Sequence, residues 1–260
     1  MAIQSPRFSR KLYETERVID VETTDYPSPR AALAAGARDA LGAPIAVLAA
    51  GYVGYGALAS GFDFPPLLIV ASTLLIWALP GQLIMLEMHA VSAQLVLIVL
   101  AVSLSASRFL PMTTVLSGMM RHPRYSSWQM YAAAHVLAMT TWVAAVNRVP
   151  QLPAEQRLPY FVGFALLCWI ACAVASAVGY FVADQMSELV KLGLVFMNPI
   201  YFLLILTGET KAALGRLALA AGAITGPVAY AIAPQWSLLA AGLVGGSAAY
   251  ALHRWRRHRE

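Results

Sequence analysis

The sequence predicts an all-α polytopic membrane protein of about eight transmembrane helices, with interrupted helices in spans two and six. Three observations carry this. Of the 260 residues, 59% are hydrophobic and only 12% charged, too little charge to cover a soluble surface of this size. Between Ala43 and Leu252 only fourteen residues are charged, and most of them separate apolar runs. Uncharged runs cover 64–86, 88–107, 125–147, 158–183, 192–208 and 217–252, where about 20 apolar residues suffice for a crossing. The last run is long enough for two short spans hinged near Ala233-Pro234-Gln235.

The chain divides into a polar N-terminal tail with a surface helix (1–42), a transmembrane domain (43–252) and a basic tail (253–260). No apolar core follows the early basic residues, so no cleaved signal peptide is expected. Ser28 is placed to cap a helix with Pro29 at its first position. That helix, Arg30 to about Gly42, is expected at the membrane surface. The first span, near Ala43 to Ser60, carries Gly51, Gly54 and Gly56, small residues that suit close helix packing.

The stretch from Pro65 to Arg121 holds the second and third spans. Pro80-Gly81-Gln82 interrupts its first apolar run, and a lone cation, Arg108, ends a later one. The segment Phe109 to Met120 is too short to span alone. It either extends the third span, kinked at Pro111, or is re-entrant. Span four runs from about Ser127 to Val146 with His135 inside, and span five from Tyr160 to about Val182. Span six, Leu192 to Leu206, contains Asn198-Pro199, a second helix break. Gly222-x-x-x-Gly226 and Gly242-x-x-x-Gly246 mark spans seven and eight.

Net charge of +5 reflects basic tails rather than a nucleic-acid surface. Six Lys or Arg precede Ala43 and four follow Leu252, which places both termini in the cytoplasm. Loops 147–159 and 207–216 are then cytoplasmic and basic. Loop 121–126, with two arginines on the external side, breaks the rule. Cys168 and Cys172, one turn apart in an apolar run, read as packing residues.

In a bilayer, helix breaks survive where protein or a water-filled cavity satisfies the freed backbone groups. If the chain is two halves of four spans, Pro80-Gly81 and Asn198-Pro199 occupy matching positions, the pattern expected around a transporter site. The candidate substrate-binding residues are Gln82, Arg108, Pro80, Gly81, Asn198 and Pro199. Arginine's planar fork suits a substrate carboxylate, with Gln82 orienting it; anchoring of the helix by Arg108 is the alternative. His135 is the proton-coupling candidate, against a hydrogen-bonded packing role. No metal-binding His pair, nucleophile elbow, catalytic carboxylate pair or phosphate loop is present, so neither an enzyme nor a cofactor nor a metal is expected. A channel or a non-transporting membrane subunit competes with the carrier, and an intramembrane enzyme lies further off.

Gly51-Tyr52-Val53-Gly54-Tyr55-Gly56 through Gly61-Phe62, then Gln82, then Arg108 with Pro111 beyond, resembles the AzlC family, large subunits of branched-chain amino acid exporters. Leu192-Gly193-Leu194-Val195-Phe196 and Tyr201-Phe202-Leu203-Leu204 resemble a later segment of that family. The chain departs from it at Leu79-Pro80-Gly81, where the family has Gly-Ala-Ser. It departs again at Ala134–Ala138, where His135 stands in a segment that carries Thr-Asp-Glu in the family. The resemblance implies a multi-pass exporter of branched-chain or related amino acids in the cell inner (plasma) membrane. It also implies a small AzlD-like membrane subunit as partner. The expected partners are therefore that subunit, an amino acid and the lipid bilayer, and no nucleic acid.

Overall fold

The computed structural model describes residues 24–62, 64–209, 213–232 and 241–257, and the regular structure among them is helical. It divides into two units, 1–197 and 198–260.

The first unit is built on one helix. α1 (Pro29–Ala40) begins as its sequence dictates, with the Ser28 hydroxyl accepting from the Ala31 N–H and Pro29 in the first turn. After Gly42, at φ +140°, the chain enters α2 (Ala43–Ser60), whose bounds match the expected first span. Both helices pack along the long helix α9 (Ala154–Phe181). Four glycines permit this. A β-carbon on Gly36 would lie 2.0 Å from the Tyr160 carbonyl oxygen, and one on Gly163 would lie 2.0 Å from that of Leu33. Gly56 and Gly179 repeat the arrangement against the carbonyls of Ser176 and Val53, again at 2.0 Å. The two crossings are reciprocal, and both run in the same direction, so α1 and α2 lie parallel to α9.

α3 (Pro66–Leu75) and α4 (Leu79–Ala90) form a hairpin rather than a span. The rings of Phe64, just before α3, and His89, near the end of α4, meet edge to face at 5.0 Å. On a straight helix these positions would be roughly 37 Å apart at about 1.5 Å per residue. Gln82 likewise reaches back across the turn to Ser72 and Thr73. This hairpin enters from the end where α9 finishes. There the turn Ala183–Gln185 packs on α2.

α5 (Leu95–Ala106) and α6 (Phe109–Met120) then run to the opposite end, bent by 46°. Pro111 has no N–H to return to the Ser107 carbonyl, which accepts from Leu110 instead at 3.1 Å. Arg157, at the start of α9, donates to the Met119 carbonyl at 3.0 Å and so fixes where α6 ends.

α7 (Ser127–His135) and α8 (Met139–Arg148) form a second hairpin, entering from the end where α9 starts. Ser126 and Gln129 cap its first arm reciprocally. The Tyr125 hydroxyl, before α7, donates to the Glu155 carbonyl, beyond α8, and Arg124 pairs with the Glu155 carboxylate at 3.7 Å. The two hairpins therefore enter from opposite ends of α9.

Expected spans two and four thus each turn back as a hairpin instead of running as one straight helix. Among the described residues, Ala43–Ser60 and Ala154–Phe181 are each long and apolar enough to cross a membrane, and the bent pair α5–α6 is so only when its two helices are taken together, as a broken span or a re-entrant loop. The break in span two also lies elsewhere than expected, at Ile76–Ala78. Pro80 sits in the first turn of α4, where its missing N–H costs nothing, so it starts a helix rather than ending one.

α10 (Glu188–Glu209) reaches into the second unit. Asn198-Pro199 lies inside this continuous helix and does not interrupt it, a second correction. α11 (Ala213–Ile232) packs against a π-helical turn, Ala241–Gly245, that leads into α12 (Gly246–Arg257). The close approach there is at Gly245, whose added β-carbon would lie 2.7 Å from the Thr225 hydroxyl, whereas Gly222, Gly242 and Gly246 face open space. The expected hinge at 233–235 lies outside the described residues.

Candidate functional site

The tips of the two hairpins meet. Each tip is three residues long: Ile76-Trp77-Ala78 joins α3 to α4, and Val136-Leu137-Ala138 joins α7 to α8. A helix that ends in the interior leaves carbonyls free, and one that starts there leaves N–H groups free. At the first tip the Leu74 carbonyl is held from two sides. His135 Nε2 lies 2.9 Å from it, and the Trp169 indole N–H donates at 3.1 Å from the middle of α9. A carbonyl only accepts, so Nε2 carries the imidazole proton, and the His135 and Trp169 rings meet edge to face at 5.9 Å.

Beside this junction lies a buried polar chain. The Ser72 hydroxyl donates to the Ile69 carbonyl at 2.8 Å and accepts from Tyr55 at 2.7 Å. Thr73 bonds the same carbonyl at 3.1 Å and lies 2.9 Å from the Ser176 hydroxyl. With the Ser72 proton already committed, the Gln82 amide presents its NH2 to Ser72 and Thr73, at 3.2 and 3.1 Å. Its Oε1 then has no partner among the described residues, although Gln82 is fully buried. Thr140, in the first turn of α8, is also buried, with its hydroxyl unpartnered among the described residues. Thr141 next to it closes on its own helix start, accepting from the Ala138 N–H at 2.9 Å. Unpaired polar atoms in an interior are costly, and here they sit in the first turns of both inward-starting helices.

The first tip is also strained. Trp77 has φ +40°, a left-handed conformation that bulky residues avoid, and is buried. Its indole N–H has no hydrogen-bond partner of normal geometry among the described residues and lies toward the Cys172 thiol.

Of the sequence-derived candidates, Pro80, Gly81 and Gln82 form the first turn of α4 at the first tip, and His135 ends the first arm of the second hairpin. Arg108 stands apart. It lies at the α5–α6 bend, exposed, its guanidinium 5.3 Å from the Phe109 ring centroid. The expected contact between Gln82 and Arg108 is not formed, because the Gln82 amide is held within its own hairpin. Asn198 and Pro199 belong to the second unit. Sequence reasoning missed Leu74, Trp77, Thr140 and Trp169. For the second tip the signal was a histidine in an apolar run beside a loop that broke the charge rule.

A cavity of about 430 Å³ opens between α6 and α7, bordered by Arg121, His122, Tyr125, Ser117 and Tyr131. It shares Thr113, Ser117, Met130 and Ala134 with a small inner pocket that reaches Leu137 at the second tip. Polar groups at its mouth and apolar ones inside suit an amphipathic solute.

A family model described as AzlC protein matches residues 44–186, more than half of the chain and a range that includes both hairpins. No curated protein and no solved structure matches the chain.

Proposed function

Because the chain belongs to the AzlC family, a family of membrane transport proteins, we propose that it is the large subunit of a secondary carrier. Its substrates are small hydrophobic amino acids, branched-chain or related. It exports them across the cell inner membrane, with both termini cytoplasmic and a small AzlD-like subunit as partner.

The observation that supports this reading best is the meeting of two opposed hairpins through His135 and Leu74. The junction gathers helix starts, which favour a carboxylate, and helix ends, which favour an ammonium group. A zwitterion needs both. The Gln82 Oε1 is an acceptor for the ammonium, and the Thr140 hydroxyl and the open first turns of α4 and α8 are donors for the carboxylate. Broken or re-entrant helices around a mid-membrane site are the arrangement that carriers use to hold small polar solutes. The cleft between α6 and α7 supplies an approach to the second tip.

The hairpins also remove the exception to the charge rule. With the second hairpin returning to its own side, Arg121 and Arg124 join Arg148 and Arg157 at one end of α9. In this topology that end is cytoplasmic, together with both tails.

The test is counterflow. The purified chain, reconstituted with its small subunit into vesicles loaded with leucine, isoleucine or valine, should exchange labelled amino acid saturably, with and without a pH gradient. Flux that neither saturates nor shows counterflow would point to a channel. No flux of any amino acid would sink the carrier reading.

A further inference from the structure

The connection between α6 and α7 carries a cation that is left uncommitted. α6 ends at Met120 and α7 begins at Ser127, and Arg121, Arg124, Arg148 and Arg157 gather around this end of α9. Three of them are held. Arg124 pairs with the Glu155 carboxylate at 3.7 Å, and Arg148 donates to the Gln151 side-chain oxygen at 2.7 Å. Arg157 donates to the Leu152 and Met119 carbonyls, each at 3.0 Å. Arg121 has no hydrogen bond or ion pair among the described residues. It borders the cleft of about 430 Å³ between α6 and α7. His122 stands beside it on the same cleft. The His122 Nδ1 accepts from the Arg124 backbone N–H at 3.3 Å, so the neutral ring carries its proton on Nε2 and keeps a donor for a ligand.

Deeper in, the cleft changes character. Thr113 lies eight positions before Arg121, and Ala134 seven after Ser127, so the cleft runs roughly 10 to 12 Å along the two helices. Its inner part is lined by Met130 and Ala134, with the hydroxyls of Thr113 and Ser117 on α6. Gly118 opens the α6 wall, since an added β-carbon there would meet nothing within 4 Å. The small inner pocket continues from here to Leu137 at the second tip. The space thus has one cationic end and one apolar end. None of the residues lining it is Asp or Glu. Glu155, which reaches this end through Tyr125, is held by Arg124. The mouth therefore complements one negative charge and offers no anionic partner to an ammonium group.

We propose that the cleft is a binding site of its own, for a small monocarboxylate with a branched apolar tail, and that it reads the carboxylate alone. Arg121 takes the carboxylate through its planar fork, the His122 Nε2–H assists, and the tail lies along Met130 and Ala134. This deepens the carrier reading and rests on it: an amino acid is gripped here by its carboxylate before the hairpin tips meet both of its charges. The two sites then differ in selectivity. The α-keto acid, in which a carbonyl replaces the ammonium group, fits the cleft and fails at the tips. It blocks export without being exported.

The test measures binding and exchange separately, with labelled α-ketoisocaproate, the keto-acid counterpart of leucine. The chain, purified in neutral detergent with its small subunit, should bind this probe saturably in equilibrium dialysis, and leucine should compete. Arg121→Gln should weaken binding by about tenfold or more. Gly118→Leu, which fills the cleft and leaves its charge in place, should do the same. If Arg121→Gln does not accumulate, Arg121→Lys replaces it in the comparison and should also bind more weakly than the parent. In vesicles the probe should inhibit leucine counterflow from the Arg121 side and should not itself exchange. Absence of saturable binding, binding indifferent to residue 121, or exchange of the probe would overturn the proposal. So would displacement of the probe by phosphatidylglycerol but not by leucine, which would make the cleft a lipid site. Counterflow that persists without probe binding removes the cleft site and leaves the carrier reading standing; probe binding without counterflow does the reverse.

Discussion

His135 and Leu74 are 61 positions apart, yet the imidazole Nε2–H of one caps the backbone carbonyl of the other at 2.9 Å. This contact ties two hairpins that enter from opposite ends. Replacing His135 with leucine removes the donor and leaves Trp169 alone on the carbonyl, a cost of about 1 kcal/mol in stability. His135→Gln retains an N–H. The leucine variant should lose most transport, while the glutamine variant should transport with a flattened pH dependence. Export rates measured across a pH series would show it, and a glutamine variant with the parent's pH profile would make the histidine a structural tie only.

Gln82 separates structure from binding. Its loss leaves Ser72 and Thr73 still bonded to the Ile69 carbonyl, so Gln82→Ala should cost about 1 kcal/mol or a little more, including the small cavity. Loss of the unpartnered Oε1 should reduce export by about tenfold or more if it receives the substrate ammonium. Melting in detergent and vesicle uptake, run on the same preparation, provide the comparison. Unchanged uptake would remove Gln82 from the site.

The topology gives a sharper division. Cysteines introduced at Pro123 and Gln151 should label from the same side, and one at Ala93 from the other. An arrangement in which residues 127–146 cross would place positions 123 and 151 on opposite sides. Side-selective thiol labelling in intact cells, after replacing Cys168 and Cys172, decides between them.

The glycine crossings make the strongest stability prediction. Gly179→Ala places a carbon 2.0 Å from the Val53 carbonyl oxygen and Gly163→Ala places one equally close to that of Leu33. Backbone on both sides cannot yield, so each should destabilise by about 3 kcal/mol or more. Gly118→Ala, where nothing lies within 4 Å, should be harmless. Monodisperse protein recovered after size exclusion would rank the three; equal recovery would contradict the packing described.

Hydropathy revealed the class of this protein and the bounds of α2, because burial in lipid and helix length are written directly in composition. Direction was not. An apolar run of 23 residues reads alike whether it crosses or turns back, and Ile76-Trp77-Ala78 and Val136-Leu137-Ala138 contain neither glycine nor proline to mark the turns. Proline misled in both halves. At Pro80 it opens a helix, and at Pro199 the helix continues through it. α9 begins at Ala154 rather than Tyr160 because Pro159 falls at its sixth residue, still close to the start. The two arginines in loop 121–126 were the one sign in the sequence that residues 127–148 turn back as a hairpin.

The reciprocal crossings on α9 have a consequence for how the chain is made. Leu33 and Gly36 wait for Tyr160 and Gly163, and Val53 and Gly56 for Ser176 and Gly179, so more than a hundred residues must be synthesised before either crossing can close. Until then the first hairpin has inserted with its polar tip lacking Trp169 and Ser176. Biogenesis therefore passes through a stage in which the translocon or a chaperone must shelter the early helices, and release should coincide with emergence of α9. Arrested nascent chains ending before Ala154 should remain protease-sensitive, and chains extended past Phe181 should not.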